Sequence, residues 1–350
     1  GERKALLLDM ARGMAEEEML WLPLAWFEDR YTTVRELVAE GLLRLDEGSG
    51  RLQFRHQTLY EFVRARGFLD QLGSLTQAIL EGQNSIRIRP QLWYALQHTR
   101  QVSPEFYQQE LARLWSPDLR PHLRMLLIEF LGTQRIPLAG ETRLAWLNYD
   151  DPWFQRRFLN AVVGSPGWFE NLAPDRLPML MARPVETAAL ALPILEQAMA
   201  FTSVEVLAMV DQNWLPHPDK DTLTWRLLAM GNTAPLDAAC VDRLERIASR
   251  ADLAAWTISH TASQISAVLP EQAPRLVVAW LEQQWRKARE AVPEPVRNGD
   301  EIEAVAPVTT FRERPVSTLL ESRELHDLPA IAEAAPQYFV EAIWPLFLEL

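Results

Sequence analysis

"GLLRLDEGSGRLQFRHQTLYEFVRARGFL", Gly41–Leu69, holds both structural periods in one short span. "LLRLD" and "RLQFR" alternate apolar and polar residues, as half-buried strands do. "EGSG" lies between them, and its glycines tolerate the positive φ of a hairpin loop. From His56 the period changes. In "HQTLYEFVRARGFLDQL" the residues Leu59, Phe62, Val63, Leu69 and Leu72 fall on one helical face. A lone histidine therefore stands where strand gives way to helix.

Upstream, "RKALLLDMARGMAEEEML" reads as a helix, with Leu6, Leu7, Met10 and Met14 at helical spacing. A short apolar, Trp-containing connector follows. "YTTVRELVAEGLL" reads as a second helix, in which Thr33 and Glu36 are spaced as a capping box. Val34, Leu37 and Val38 supply its buried stripe, and Gly41 ends it. The order helix, helix, hairpin, helix is that of a winged-helix-like module spanning residues 1–80.

Beyond it the pattern is helical. Segments begin near Pro104, Gly140, Pro174, Ser203, Leu236 and Glu271, and a second helix falls between or beside each pair. A period of about 30–40 residues with two helices per unit is the signature of an α-solenoid of HEAT-like type, assigned to residues 81–286. The chain's 24 prolines fit this reading as punctuation, since each would cost about 3 kcal/mol inside a helix. Ser103–Pro104, Ser116–Pro117 and Asp151–Pro152 each place a potential N-cap before proline. Residues 287–316 are rich in Pro and Glu and read as a loop. Residues 317–350 read as further, truncated helices of the array. The fold class is thus mainly α: a winged-helix-like module with a small β-hairpin, then a HEAT-like α-solenoid.

Apolar residues make up 48% of the 350, which excludes a disordered chain. The net charge of −12 argues against nucleic acid as a partner, because a phosphate backbone needs a clustered Lys/Arg face. The mixed charge of the second helix and hairpin points the same way. Arg64, Arg66, Arg87 and Arg89 form a local basic stretch that reads as a solvated face or as contacts with a neighbouring domain. The single Cys240 allows no intrachain disulfide and suits a cytoplasmic location. The longest apolar run, Met19–Phe27, is too short for a bilayer, so no membrane is expected. The start shows no basic region followed by an apolar one, as a signal peptide would. The chain opens with Gly1 and enters a helix at once, and is expected to be a fragment.

The run Phe54-Arg55-His56-Gln57-Thr58-Leu59-Tyr60-Glu61-Phe62, with Ala65 one turn on, resembles the winged-helix segment of STAND-class NTPases. The likeness is strongest to the NACHT branch and its bacterial antiphage relatives. It covers residues 1–80 and the general layout of repeats behind them. It implies that His56 faces an ADP phosphate held by an upstream NTPase domain, in the closed, inactive state. A helix-start histidine donating an N–H to a phosphate oxygen is reasonable chemistry. The plain alternative is that His56 caps its own helix. The resemblance also implies a protein trigger recognised by the repeats and ATP or ADP in the parent, with no cofactor in this segment. No G-x-x-x-x-G-K-[ST] loop is present, so no NTPase activity is expected here. The other readings are an α-solenoid scaffold without a nucleotide switch, and a winged-helix transcription regulator.

Other candidates are weaker. His56, His98, His122, His217, His260 and His326 show no metal-ligand spacing, so no metal is expected. Asp150 and Asp151 sit together, but Asp151 before Pro152 reads as a helix cap. "GSPG", Gly164–Gly167, lacks the strand–Ser–helix setting of a nucleophile elbow and reads as a loop. Among thirteen tryptophans most should pack between helices. For any single one the core is the favoured reading; Trp153, Trp168 and Trp214 lie near turns and are the candidates for exposed, partner-binding residues.

Overall fold

The computed structural model describes residues 1–70, 74–85, 88–230, 236–290 and 327–348. The chain is mainly helical with one small antiparallel sheet. It divides into two compact units, Gly1–Trp168 and Phe169–Leu350.

The first unit opens with helix α1 (Glu2–Glu16), which buries Leu6, Met10, Ala11 and Met14. Strand β1 (Leu22–Pro23) follows, then a 3-10 stretch, Leu24–Arg30, and helix α2 (Tyr31–Ala39). Strands β2 (Leu43–Asp46) and β3 (Arg51–Phe54) form the expected hairpin. Sheet order is β1-β3-β2, with Leu43 opposite Phe54, Leu45 opposite Leu52 and Leu22 also opposite Leu52. Those inward residues join Leu6, Met10, Phe27, Val34 and Leu37 in one core. Gly41, at φ +75°, turns the chain from α2 into β2, as the sequence predicts.

Two local readings are corrected. The sheet has a third strand, because the connector pairs with β3 over two residues. Pro23 suits that edge position, where no ladder N–H is needed. The Thr33–Glu36 capping box does not form. Helix α2 starts two residues before Thr33, which is buried, and Glu36 instead accepts from Arg3 Nε at 3.0 Å and Nη2 at 2.8 Å.

Helix α3 (Gln57–Asp70) leaves the sheet. Behind it come α4 (Leu75–Gly82), α5 (Ile88–Val102), α6 (Pro104–Leu114), α7 (Pro121–Gly132), α8 (Ala139–Asn148) and α9 (Pro152–Ala161). The unit ends at Trp168, inside α10 (Pro166–Leu172). The helices pack on their second neighbours, α3 on α5, α5 on α7, α7 on α9, and α4 on α6 on α8; α4 and α6 also pack on α5, and α8 on α9. Gly132 permits the closest approach, since a Cβ there would lie 2.1 Å from the Ala161 carbonyl oxygen. Of the three cap–proline pairs, Asp151 caps its helix by accepting from Trp153 N at 2.9 Å. Ser103 heads α6 without a side-chain cap bond, and Ser116 precedes no α-helix.

Buried carboxylates fasten one helix pair to the next. Glu110 on α6 accepts from Thr76 N at 2.7 Å and Ser74 Oγ at 3.1 Å at the head of α4, and from Arg113 at 2.9 Å. Burial alone would raise the Glu110 carboxyl's pKa, but these bonds outweigh it and hold it below the ordinary 4.5. Its contribution to stability is therefore present above that value and is lost as pH falls through the lower native value. The urea midpoint of the wild type should drop more steeply than that of Glu110→Gln as buffers are taken from neutral to strongly acidic. Equal slopes would remove Glu110 from the acid response.

In the second unit come α11 (Arg176–Met181), α12 (Val185–Ala188) and α13 (Leu192–Asn213). Helix α13 is broken at Thr202, φ −151° and ψ 55°, next to the segment start read at Ser203. Among the described residues, Val185–Asn213 is the one stretch long and apolar enough to cross a membrane. It qualifies by length and composition alone, as the buried core helix of a water-soluble protein also does. Its inward side, including Ile194, Leu195, Val206 and Val210, is buried within the unit. α14 (Asp221–Trp225) runs into a π turn, Arg226–Met230. α15 (Ala238–Ala248), α16 (Ala255–Ser266) and α17 (Ala273–Glu290) follow, with Leu328–Ala334 and Pro336–Leu348 behind them. α15 packs on α17, α16 on Leu328–Ala334 and α17 on Pro336–Leu348. Residues 287–290 lie in α17, whereas 291–326, most of the Pro/Glu-rich stretch, lie outside the described residues, as do Leu72 and Arg87.

Candidate functional site

His56 immediately precedes α3, at the end of the sheet, and is exposed. Its carbonyl accepts from Leu59 N at 3.1 Å and Tyr60 N at 3.3 Å, so its backbone starts the helix. Its ring has no protein hydrogen-bond partner among the described residues. It is therefore open to a ligand or partner, and it does not cap α3 through its side chain. On α3 itself Gln57 donates to Glu61 at 2.9 Å, one turn on.

The outer side of the sheet next to His56 is cationic. Arg44, Arg51 and Arg55 are exposed. The Arg51 guanidinium lies over the Trp21 ring, 4.3 Å from its centroid. Arg35 instead pairs with Glu47 at 3.1 Å, and Arg3 ties up Glu36 and Glu40. Asp46 accepts from Ser49 Oγ and Gly48 N, and with these bonds its carboxyl is held below the ordinary range.

A groove of about 340 Å³ runs beside the first turns of α3, between it and α5. Thr58, Phe62, Tyr94, Gln97 and His98 line it, and Phe62 and His98 meet edge to face with ring centroids 6.2 Å apart. Burial, with Glu61 nearby, raises the Tyr94 phenol's pKa and keeps it a neutral donor.

The tryptophan expectation divides. Trp153 is exposed, at 39%. Trp168 and Trp214 are fully buried, which corrects their reading as exposed residues. Each indole N–H is spent on a helix-end carbonyl: Trp168 donates to Leu131 O at 2.7 Å and Trp214 to Met181 O at 3.2 Å. Trp26, Trp256 and Trp344 are the exposed indoles that sequence reasoning missed. Nothing in their local pattern separates them from core tryptophans.

Among the described residues no three His, Cys, Asp or Glu side chains gather as a metal site. His326 lies outside those residues. Cys240 is buried, and burial, with Asp237 nearby, pushes its thiol up to about 11, far from a reactive thiolate. Ser165 donates to Gln134 O at 3.1 Å, and Gly167 sits against the Arg135 carbonyl. "GSPG" is thus a packing loop. No family model, curated protein or solved structure significantly matches the chain.

Proposed function

We propose that this chain is the regulatory and sensor region of a STAND-type NTPase. In this reading residues 1–80 are a winged-helix-like module that holds the ADP-bound off state. The helices behind it are a HEAT-like α-solenoid that recognises a trigger protein, in antiphage defence. The nucleotide sits in an upstream NTPase domain, and His56 contacts its phosphate. The observation that carries the proposal is the exposed, unpartnered His56 ring, set between a β1-β3-β2 sheet and the head of α3.

The repeat half of the reading is supported by the spacing of the bonds between helices. Glu110–Thr76 and Tyr107–Glu141 span 34 residues, Trp115–Asn148 and Trp214–Met181 span 33, and Arg243–Asp211 spans 32. One period recurs within each unit, as stacked helix pairs require. A trigger shifts the off–on equilibrium only by binding the released state better.

The test is ADP retention in the chain joined to its upstream NTPase domain. A hydrogen bond to a charged group is worth about 1.5–3 kcal/mol, so His56→Ala should speed ADP release about tenfold or more and raise basal activity. Unchanged release removes His56 as the sensor. A second reading is favoured by the packing of α3 on α5: the module is a cap on a scaffold array with no switch. A parent that retains no nucleotide at all decides for the scaffold.

A further inference from the structure

We propose that the outer face of the three-stranded sheet docks a short acidic segment of a partner protein. The strand register builds this surface. Arg44 on β2 stands directly across from Gln53 on β3. Arg51 and Arg55 lie two residues to either side of Gln53, about 7 Å away along the strand. The bond from Arg55 N to Leu42 O, 3.0 Å, keeps Arg55 in line with the ladder. Its guanidinium lies over Gly41, with Nη1 3.1 Å from where a Cβ would stand. Trp21 precedes β1, whose Leu22 pairs with Leu52, and its ring carries the Arg51 guanidinium. Three guanidinium groups thus surround one amide, with an indole at the side and the Asp46 carboxylate directly across from Arg51.

Among the described residues Arg44 and Arg55 have neither an ion pair nor a side-chain hydrogen bond. On a chain of net charge −12, two unpaired arginines beside the Arg51–Asp46 cross-strand pair are a local cationic excess. Its charge complement is an anion, and guanidinium matches carboxylate with two parallel hydrogen bonds. The extent of the cluster selects a peptide over a nucleic acid. Asp46 stands across from Arg51 and Glu47 follows it at the hairpin tip, while Glu36 and Glu40 lie in and just after α2. A phosphate backbone continuing past the arginines would run over these carboxylates. A short segment that sets two acidic residues against Arg44 and Arg55 ends before reaching them.

The full chain is titrated with a fluorescein-labelled peptide carrying two glutamates flanked by glycine and serine, in low-salt buffer, followed by polarisation. Saturable binding is expected, weakened by added salt. Replacing two favourable exposed pairs with repulsion, Arg44→Glu with Arg55→Glu, should weaken it about tenfold. Arg44→Gln with Arg55→Gln should weaken it in the same direction, and this pair decides if the reversed one does not fold. His56→Ala should leave it unchanged, which separates the result from the nucleotide reading. Absence of saturable binding, indifference to both double variants, or tighter binding of a 20-base-pair DNA duplex would each overturn the proposal.

Discussion

Trp168→Ala is expected to destabilise the first unit by about 3–5 kcal/mol, the cost of emptying a well-packed aromatic site. The indole is fully buried. It meets Phe158 edge to face at 4.9 Å and Trp146 at 6.4 Å, and Phe158 stacks on Phe154 at 5.5 Å. Removing it opens a cavity among rings that cannot collapse without leaving their contacts. It also frees the Leu131 carbonyl at the end of α7, which has the indole N–H at 2.7 Å. Trp168→Phe keeps most of the ring volume and loses that bond, so it should cost a smaller amount, about 1 kcal/mol for the bond alone. Urea unfolding measures the loss, and hydrogen exchange of α7 and α9 amides locates it. A surface partner-binding tryptophan would change stability by less than about 0.5 kcal/mol. That result for Trp168→Ala would restore it as a binding residue.

The contrast shows what the sequence could disclose. Alternation and a glycine loop are local facts, so the β2–β3 hairpin was readable. Helix starts at Pro104 and near Gly140 and Leu236 were readable because proline or a change of period marks them. β1 was hidden because two residues carry no period. The capping box failed because Thr33 and Glu36 have the right spacing in a helix that starts at Tyr31. The burial of Trp168 depends on a contact 37 residues away, and that of Trp214 on one 33 away. No window around either residue holds that information. At the candidate site the position of His56 was legible, as the junction of two periods. The cationic face was legible only in part: Gln53 and Arg55 alternate along one run, whereas Arg44 reaches Gln53 only through the strand register.

Glu141→Ala should be as damaging, about 3–5 kcal/mol, through charge instead of volume. The Glu141 side chain is fully buried, with Arg100 Nε at 2.8 Å and Nη2 at 3.1 Å, Tyr107 Oη at 2.6 Å and Leu138 N at 2.6 Å. It joins α5, α6 and the head of α8 at one point. Burial, reinforced by the Glu141 charge and hydrogen bond, raises the Tyr107 phenol's pKa, so it donates at every working pH. Deleting the carboxylate leaves a buried hydroxyl and a helix-end N–H without their acceptor, and the Arg100 guanidinium with only the Ile136 carbonyl, 2.6 Å away. Most of the penalty comes from the two side-chain donors, so removing them as well should recover much of it, with the Leu138 N–H still short of its acceptor. Glu141→Leu combined with Arg100→Leu and Tyr107→Phe is expected to approach wild-type stability, since apolar residues of similar volume often replace a buried ion pair without loss. A cycle of urea midpoints over the single and combined variants measures the coupling. Additive losses would show that the three side chains act separately, and that Glu141 does not fasten one helix pair to the next.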